Sequence, residues 1–260
     1  MITSLANQTI KDAAALKKSG ERKQRGLIII DGLREIKMAL RAKIEIEALF
    51  YCLELKTEET EIFNLIAPEK RIEVSEAVFK KICYKENPDG FLVVAKPKEK
   101  GLADLKLSDA PLVVVLENVE KPGNLGGIIR TAYAAGVEAI IVNNNQTDIY
   151  NPNVIRASEG FVFIENIISA TVGETIAYLK KNKIKSFGAA TTSSKNYAAI
   201  NMKEGTAIIL GSEADGLSEE WLKKADQLVK IPMQVGIDSL NVSVAAAVII
   251  YEAVRQRVEK

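Results

Sequence analysis

The strongest constraint on the fold is the alternation of apolar, strand-like runs with helical segments along the second half of the chain. Residues 111–115 and 139–142 are nearly continuous apolar runs, typical of strands buried on both faces of a sheet. Residues 126–135 lie between them with helical periodicity, and further strand-like runs follow at 186–190 and 207–210. This order predicts an α/β domain with a mostly parallel sheet, whose ligands bind at the carboxyl ends of the strands.

The first half of the chain predicts a smaller α/β domain. An apolar run at 27–30 precedes helical spacing at 33–40, which begins a β-α order. The charged residues that follow this domain include a proline and a glycine, as in an exposed linker. The expected organisation is a small domain at 1–95, a linker at 96–106 and a large domain at 107–260.

The composition of the chain limits which catalytic and metal sites it can form. No apolar run reaches the roughly 20 residues that cross a bilayer, and the N-terminus does not read as a signal peptide, so we expect a cytoplasmic protein. Cys52 and Cys83 are widely separated, and we expect both to be buried rather than bonded. The chain has no histidine, which removes the Ser-His-Asp arrangement and most catalytic zinc sites. We therefore expect no metal site.

The charge is distributed unevenly. The net charge is only +1, yet residues 1–43 hold ten Lys/Arg against four Asp/Glu. An electropositive surface of this kind suits RNA phosphates, although a solvated helix face has the same composition.

Three polar loops follow predicted strands, and each has a functional and a purely structural interpretation. In the first, Asn124 precedes a glycine-rich helix that carries Arg130. Asn124 is either a helix N-cap or a ligand of substrate, and Arg130 is either a surface ion-pair residue or a phosphate clamp. The spacing fits neither dinucleotide-binding nor P-loop motifs.

The second loop, residues 210–217, places Glu213 just beyond a strand, where it orients a reacting group or lies in an exposed turn. The third, residues 231–241, leads into an apolar helix that continues to about residue 258. Ser239 or Asn241 is the expected cap of that helix.

Taken in order, these segments resemble the three signature motifs of the SpoU/TrmH family of RNA 2′-O-methyltransferases. The motifs are Asn-Leu-Gly-Gly-Ile-Ile-Arg-Thr-Ala, Gly-Ser-Glu-Ala-Asp-Gly-Leu and Ile-Pro-Met followed by Ser-Leu-Asn-Val-Ser-Val-Ala-Ala-Ala. Residues 154–160 also look like the family's Arg-Ala-Ser-x-Gly segment. The first domain is similar, more weakly, to the L30e-like RNA-binding domain often fused to this family. Two departures are Lys121, where the family often has Asp, and Asp31, where many relatives have Glu.

The resemblance implies a deep trefoil knot in the second domain and a homodimer formed through it. It also implies S-adenosylmethionine as cofactor, bound by six residues in the knotted loops: Ala189, Leu210, Gly211, Ile231, Met233 and Leu240.

The resemblance further implies methylation of a ribose 2′-hydroxyl, in rRNA more readily than in tRNA. The positions that match the family's catalytic residues are Asn124, Arg130, Glu213, Ser239 and Asn241. The family's arginine is proposed as the base. We prefer Arg130 as a clamp and stabiliser of the developing alkoxide, because a guanidinium stays charged at neutral pH.

Two alternatives remain open from the residues. One is a non-catalytic RNA-binding protein with the same fold, acting in ribosome assembly. The other is an unknotted nucleotide-binding α/β enzyme. Binding of S-adenosylmethionine discriminates between these readings.

Overall fold

The structure is a computed structural model that describes residues 1–55, 61–144 and 147–258. Within these residues the strands are β1 (Ile28–Asp31), β2 (Glu45–Tyr51), β3 (Arg71–Glu73), β4 (Phe91–Lys96), β5 (Leu112–Glu117), β6 (Ala139–Asn143), β7 (Ile167–Ala170), β8 (Lys185–Ala189), β9 (Thr206–Leu210) and β10 (Gln227–Val229). The α-helices are α1 (Gln8–Ala15), α2 (Ser19–Arg25), α3 (Leu33–Arg41), α4 (Glu61–Leu65), α5 (Glu76–Ile82), α6 (Pro122–Ala134), α7 (Pro152–Ala157), α8 (Val172–Lys181), α9 (Glu219–Lys224) and α10 (Val242–Val258). Short 3-10 helices lie at Pro68–Lys70, Leu102–Asp104, Phe161–Phe163 and Tyr197–Ala199.

The described residues form two compact units. The first contains Met1–Glu99 and Asp148–Ile164, and the second contains Lys100–Thr147 and Glu165–Lys260. This division differs from the sequence-based boundaries, which placed all of Asp148–Ile164 in the second domain.

Tight packing within the first unit explains why this segment belongs to it. Gly160 lies so close to α3 that an added Cβ would be 2.8 Å from the Cβ of Met38. The buried guanidinium of Arg22 donates from Nε to Asp148 Oδ2 at 2.8 Å. These contacts join residues more than a hundred positions apart, so no local pattern reveals them.

The first unit has a four-stranded sheet in the order β1-β4-β2-β3. Strand β4 pairs antiparallel with β1 and β2, and β2 pairs parallel with β3. Helices α1 and α5 pack over one hydrophobic cluster, which includes Ile10, Phe50 and Phe79. Cys52 and Cys83 are free thiols in the same cluster, so the prediction that both are buried is confirmed.

The second unit has a six-stranded sheet in the order β10-β8-β9-β5-β6-β7, and every pair in it is parallel. Strands β5, β6 and β9 are buried along their whole length, as their apolar runs predict. The register aligns Leu116 of β5 with Leu210 of β9, so these two strands end at the same edge of the sheet. The predicted α/β class and parallel sheet are therefore confirmed.

The first motif lies within α6, and the third motif leads into the start of α10. Helix α6 begins at Pro122 with Lys121 as its N-cap, several residues before the predicted start. Asn124 therefore lies inside the first turn, and of the two interpretations left open for it, the helix N-cap is excluded. Asn241 precedes α10, and its Oδ1 accepts from Ser243 N at 2.9 Å, as expected of a cap.

Among the residues that the structure describes, no helix is long and apolar enough to span a membrane.

Candidate active site

A cavity of about 400 Å³ opens in the second unit, at the edge where β8, β9 and β10 end. Its walls come from the segments that follow these three strands and from the start of α10. All six positions predicted to bind the cofactor line it: Ala189, Leu210, Gly211, Ile231, Met233 and Leu240. The structure thus brings together residues that lie up to 51 positions apart in the sequence.

The loop after β9 forms one wall and is held closed on itself. Ser212 N donates to Gly216 O at 3.0 Å, and Gly216 N donates to Ser212 O at 3.2 Å. Gly216 has a φ of +70°, which favours glycine. An added Cβ at Gly211 would lie 2.0 Å from the backbone of Gly216, so this position has no room for a side chain.

A chain of side-chain hydrogen bonds crosses from this loop to α6 and α10. Asn124 Nδ2 donates to Glu213 Oε1 at 2.5 Å. Asn241 Nδ2 donates to Asn124 Oδ1 at 3.1 Å. Both ends of the Asn124 amide are therefore occupied, which fixes its orientation. The three residues come from all three sequence motifs, and the structure places them in one polar cluster.

Glu213 also lines the cavity, and its second oxygen has no partner there. Oε2 is buried and accepts no hydrogen bond from the residues that the structure describes. A buried carboxylate oxygen without a donor is costly, because it gives up hydration without replacement. This atom is a ready acceptor for a donor on a bound ligand.

The remaining predicted catalytic residues are placed differently. Ser239 lines the cavity with an exposed side chain. Arg130 is exposed on α6, six positions after Asn124. Six residues correspond to about 9 Å along a helix and about 120° around it. Arg130 therefore does not lie on the face of α6 that carries Asn124.

Sequence reasoning missed Glu117, the last residue of β5. Its side chain is fully buried, and Oε2 accepts from Ser218 N at 2.8 Å. This bond ties the end of β5 to the loop that carries Glu213. An acidic residue closing an apolar strand was the available signal, but its partner lies 101 positions away.

Further cavity residues were also missed: three lie outside the three loops, and Asp238 lies inside the third loop. Thr191 and Thr192 follow β8, and Lys230 and Asp238 follow β10. Nothing in their local sequence separates them from ordinary loop residues.

Comparison with known proteins identifies the second unit. A profile described as the SpoU rRNA methylase family matches residues 111–251, more than half of the chain. The chain belongs to the SpoU rRNA methylase family. The resemblance seen in the three motifs is thereby confirmed. A second profile, the MRM3-like substrate binding domain, matches residues 7–93.

Individual relatives extend the similarity over the whole chain. The chain is 30% identical over 251 residues to the 23S rRNA (guanosine(2553)-2′-O)-methyltransferase RlmP of Bacillus subtilis (strain 168), covering 96% of this chain and 97% of that protein. A crystal structure of an RNA 2′-O ribose methyltransferase superposes with a TM-score of 0.87 at 38% identity, covering 98% of each chain. The AdoMet-bound rRNA methyltransferase from Sinorhizobium meliloti superposes with a TM-score of 0.89 at 28% identity, covering 98% of this chain and 97% of that one.

Proposed function

We propose that this protein transfers a methyl group from S-adenosylmethionine to the ribose 2′-hydroxyl of a nucleotide in ribosomal RNA. The observation that carries the proposal is the chain of bonds from Glu213 through Asn124 to Asn241, which stands beside the cavity. Membership of the SpoU rRNA methylase family supports the reaction class. The Bacillus subtilis relative, a 23S rRNA 2′-O-methyltransferase, supports rRNA as the substrate.

The residues of the cavity fit S-adenosylmethionine. Its volume of about 400 Å³ falls within the range of small-molecule pockets. Gly211 lines the cavity, and the absence of a side chain there lets the backbone of Gly216 pack directly against it and shape this wall. Leu210, Ile231 and Leu240 supply apolar walls, whereas Glu213 and Asp238 supply negative charge for a cationic ligand. When bound, S-adenosylmethionine supplies an electrophilic methyl group.

The chain's own residues must then position the ribose for attack by its 2′-oxygen on the methyl carbon, while the proton of the 2′-hydroxyl passes to a phosphate oxygen of the substrate. Glu213 and Asn241 hold the Asn124 amide in one orientation, which makes it a preorganised contact for the ribose. Ser239 shapes the same mouth of the cavity. Arg130 acts as a clamp on the substrate and stabilises negative charge on the attacking oxygen.

We further propose that Arg130 acts in the site of a second copy within a homodimer. Support comes from its position on α6, away from the face of Asn124. It also comes from α10, where Val244, Tyr251 and Val258 are 48%, 50% and 74% exposed at intervals of seven residues. Such spacing forms an apolar stripe along one side of a helix, as at helix–helix interfaces.

The remaining expectations of the resemblance complete the proposal. The segments after β9 and β10 line one cavity, an arrangement that suits the trefoil knot of the family. Residues 1–95 would serve as the substrate-binding domain, 96–106 as a linker and 107–260 as the catalytic domain. We place the protein in the cytoplasm with its rRNA substrate.

Transfer of labelled methyl from S-adenosylmethionine to unmodified rRNA tests the reaction. Wild-type protein should label the RNA, whereas Arg130→Ala should not. Arg130→Lys keeps the charge but loses the planar fork, so it should also lose most activity. Both variants should bind S-adenosylmethionine as wild type does. RNA binding without label in wild type would favour the non-catalytic alternative.

Mixing two inactive variants tests the shared site. If Arg130 serves the partner's site, mixed dimers of Arg130→Ala and Asn124→Ala contain one intact site. Random mixing should then restore about a quarter of wild-type activity, because half of the dimers are mixed and each has one working site of two. No recovery would place Arg130 and Asn124 in the same subunit's site.

A further inference from the structure

The segment Asp148–Ile164 belongs to the first unit, and most of its motif residues have a structural explanation there. Ser158 is fully buried, and its Oγ donates to Ile155 O at 3.1 Å. Gly160 combines a φ of +79° with close contact to Met38, so any side chain there would be strained. Packing therefore accounts for the serine and the glycine of the Arg-Ala-Ser-x-Gly segment.

Arg156 is the exception in this segment. It lies exposed in the last turn of α7 and makes no hydrogen bond or ion pair with the residues that the structure describes. The nearby carboxylate of Glu159 is paired with Arg34. Since that carboxylate already has a cation, the charge of Arg156 is left for a ligand from outside.

An aromatic side chain is bonded to α7, the helix that carries Arg156. Asn153 is one turn earlier on α7, and its Nδ2 donates to the hydroxyl of Tyr84 at 3.2 Å. Tyr84 is 38% exposed, and its backbone N–H donates to Asp31 Oδ2 at 2.6 Å. The ring is therefore fixed at both its backbone and its hydroxyl while part of it faces solvent.

We name Tyr84, Asn153, Arg156 and Arg34 the Arg156 patch, because side-chain bonds link Tyr84 to α7 and Arg34 to Glu159 just after this helix. Arg34 is 62% exposed and joins the patch through Glu159. The patch combines two arginines, one amide and one aromatic ring. Two carboxylates contact it: Glu159 pairs with Arg34, and the buried Asp31 accepts from the Tyr84 backbone. A planar guanidinium matches the oxygens of a phosphate, and an exposed aromatic ring stacks on an unpaired base.

We propose that the Arg156 patch binds an unpaired nucleotide of the substrate RNA, with its phosphate on Arg156 and Arg34 and its base on Tyr84. This inference rests on RNA being the substrate in the proposed function. The proposal gives Arg156 a contact with RNA. Arg156 falls within the methyltransferase profile at 111–251, but it lies in the first unit, which also contains the residues matched by the substrate-binding profile. The amide of Asn153 holds the ring and supplies a donor next to the base.

Affinity for in vitro transcribed 23S rRNA, measured over a range of salt concentrations with the full chain, tests the patch. Arg156→Ala should weaken binding roughly tenfold and lower the slope of log K against log salt by about one, as expected for one lost phosphate contact. Tyr84→Ala should weaken binding roughly tenfold with the slope unchanged, because stacking releases no counterions. Tyr84→Phe keeps the ring and should bind within twofold of wild type.

Lys181→Ala serves as the matched control, since it removes one exposed positive charge from the last turn of α8. It should leave both affinity and salt slope as in wild type. Binding of S-adenosylmethionine should stay unchanged in all of these variants, and the melting temperature should stay unchanged in Arg156→Ala and Lys181→Ala. Tyr84→Ala loses packing and the bond from Asn153, so its RNA affinity is measured well below its own melting temperature. Arg156→Ala binding within twofold of wild type, or a loss as large in Lys181→Ala, would overturn the proposal.

The two proposals fail separately. If wild type transfers methyl to RNA while Arg156→Ala keeps full affinity, the patch is wrong and the reaction stands. If wild type transfers no methyl but Arg156→Ala loses affinity, the reaction is wrong and the patch stands.

Discussion

Replacing Gly211 with alanine changes the wall of the cavity by a single methyl group. The added Cβ would lie 2.0 Å from the carbonyl carbon and oxygen of Gly216 and 2.4 Å from the nitrogen of Leu217. Non-bonded carbon atoms settle at about 3.5–4.0 Å, so the backbone must move by roughly 1.5 Å. All of the opposing atoms are backbone, and no side-chain rotation relieves the contact.

A displacement of that size reaches both functions of the loop. It moves the walls around the S-adenosylmethionine site and shifts Glu213, two residues further on, away from Asn124. Misplacement by about 1 Å can cost roughly a hundredfold in rate. We expect Gly211→Ala to raise the Kd for S-adenosylmethionine by roughly 10- to 100-fold and to abolish measurable methyl transfer.

Isothermal titration with S-adenosylmethionine measures the first effect, and thermal melting by circular dichroism checks that the variant is folded. Gly173→Ala is the matched control, because nothing lies within 4 Å of its added Cβ and the residue is helical. This control should bind normally and gain up to about 1 kcal/mol in stability. A folded Gly211→Ala protein with a Kd within twofold of wild type would refute the argument.

Asn124→Ala should lower kcat at least about 100-fold, because it removes the preorganised amide, while the Kd for S-adenosylmethionine changes less than about threefold; a kcat near wild type would contradict its role. Gly160→Ala should destabilise the protein by about 1–3 kcal/mol in urea denaturation, through both strain and overlap with Met38. Gly26→Ala is the control, because Gly26 has a φ of +62° and nothing lies within 4 Å of its added Cβ, so it should lose less stability than Gly160→Ala. Equal losses of stability in the two variants would show that overlap with Met38 contributes nothing. Burial raises the pKa of Glu165 from 4.5 to about 7, because the folded protein favours the protonated carboxyl group. The contribution of this group to the free energy of unfolding is therefore fully present below about pH 4.5 and is lost as the pH rises to about 7. Glu165→Gln should therefore be more stable than wild type above pH 7, by at most about 3 kcal/mol, with the difference vanishing near pH 4 in melting experiments.

The central strands were predictable because each is buried on both faces and therefore nearly all apolar. Strands β7 and β10 were missed since they are short and partly exposed, which leaves no continuous apolar run. Local sequence could not place Asp148–Ile164 either. Its position depends on contacts such as Arg22 with Asp148, across 126 residues.

The residues of the candidate site could be predicted one by one from the sequence, but their arrangement in space could not. The motifs named Asn124, Glu213 and Asn241, yet only the parallel sheet brings them within hydrogen-bonding distance of one another. The same sheet hides Glu117, whose role depends on its distant partner Ser218. Arg130 shows the opposite case, because its motif marks it clearly while the geometry of α6 turns it away from Asn124.

The most direct test of the account is the chemical identity of the methylated nucleoside. Unmodified rRNA would be incubated with the protein and S-adenosylmethionine, digested to nucleosides and analysed by mass spectrometry. We expect one 2′-O-methylated nucleoside that is absent with Arg130→Ala. A methyl group on a base, or no methylated nucleoside from protein that binds both S-adenosylmethionine and RNA, would contradict it.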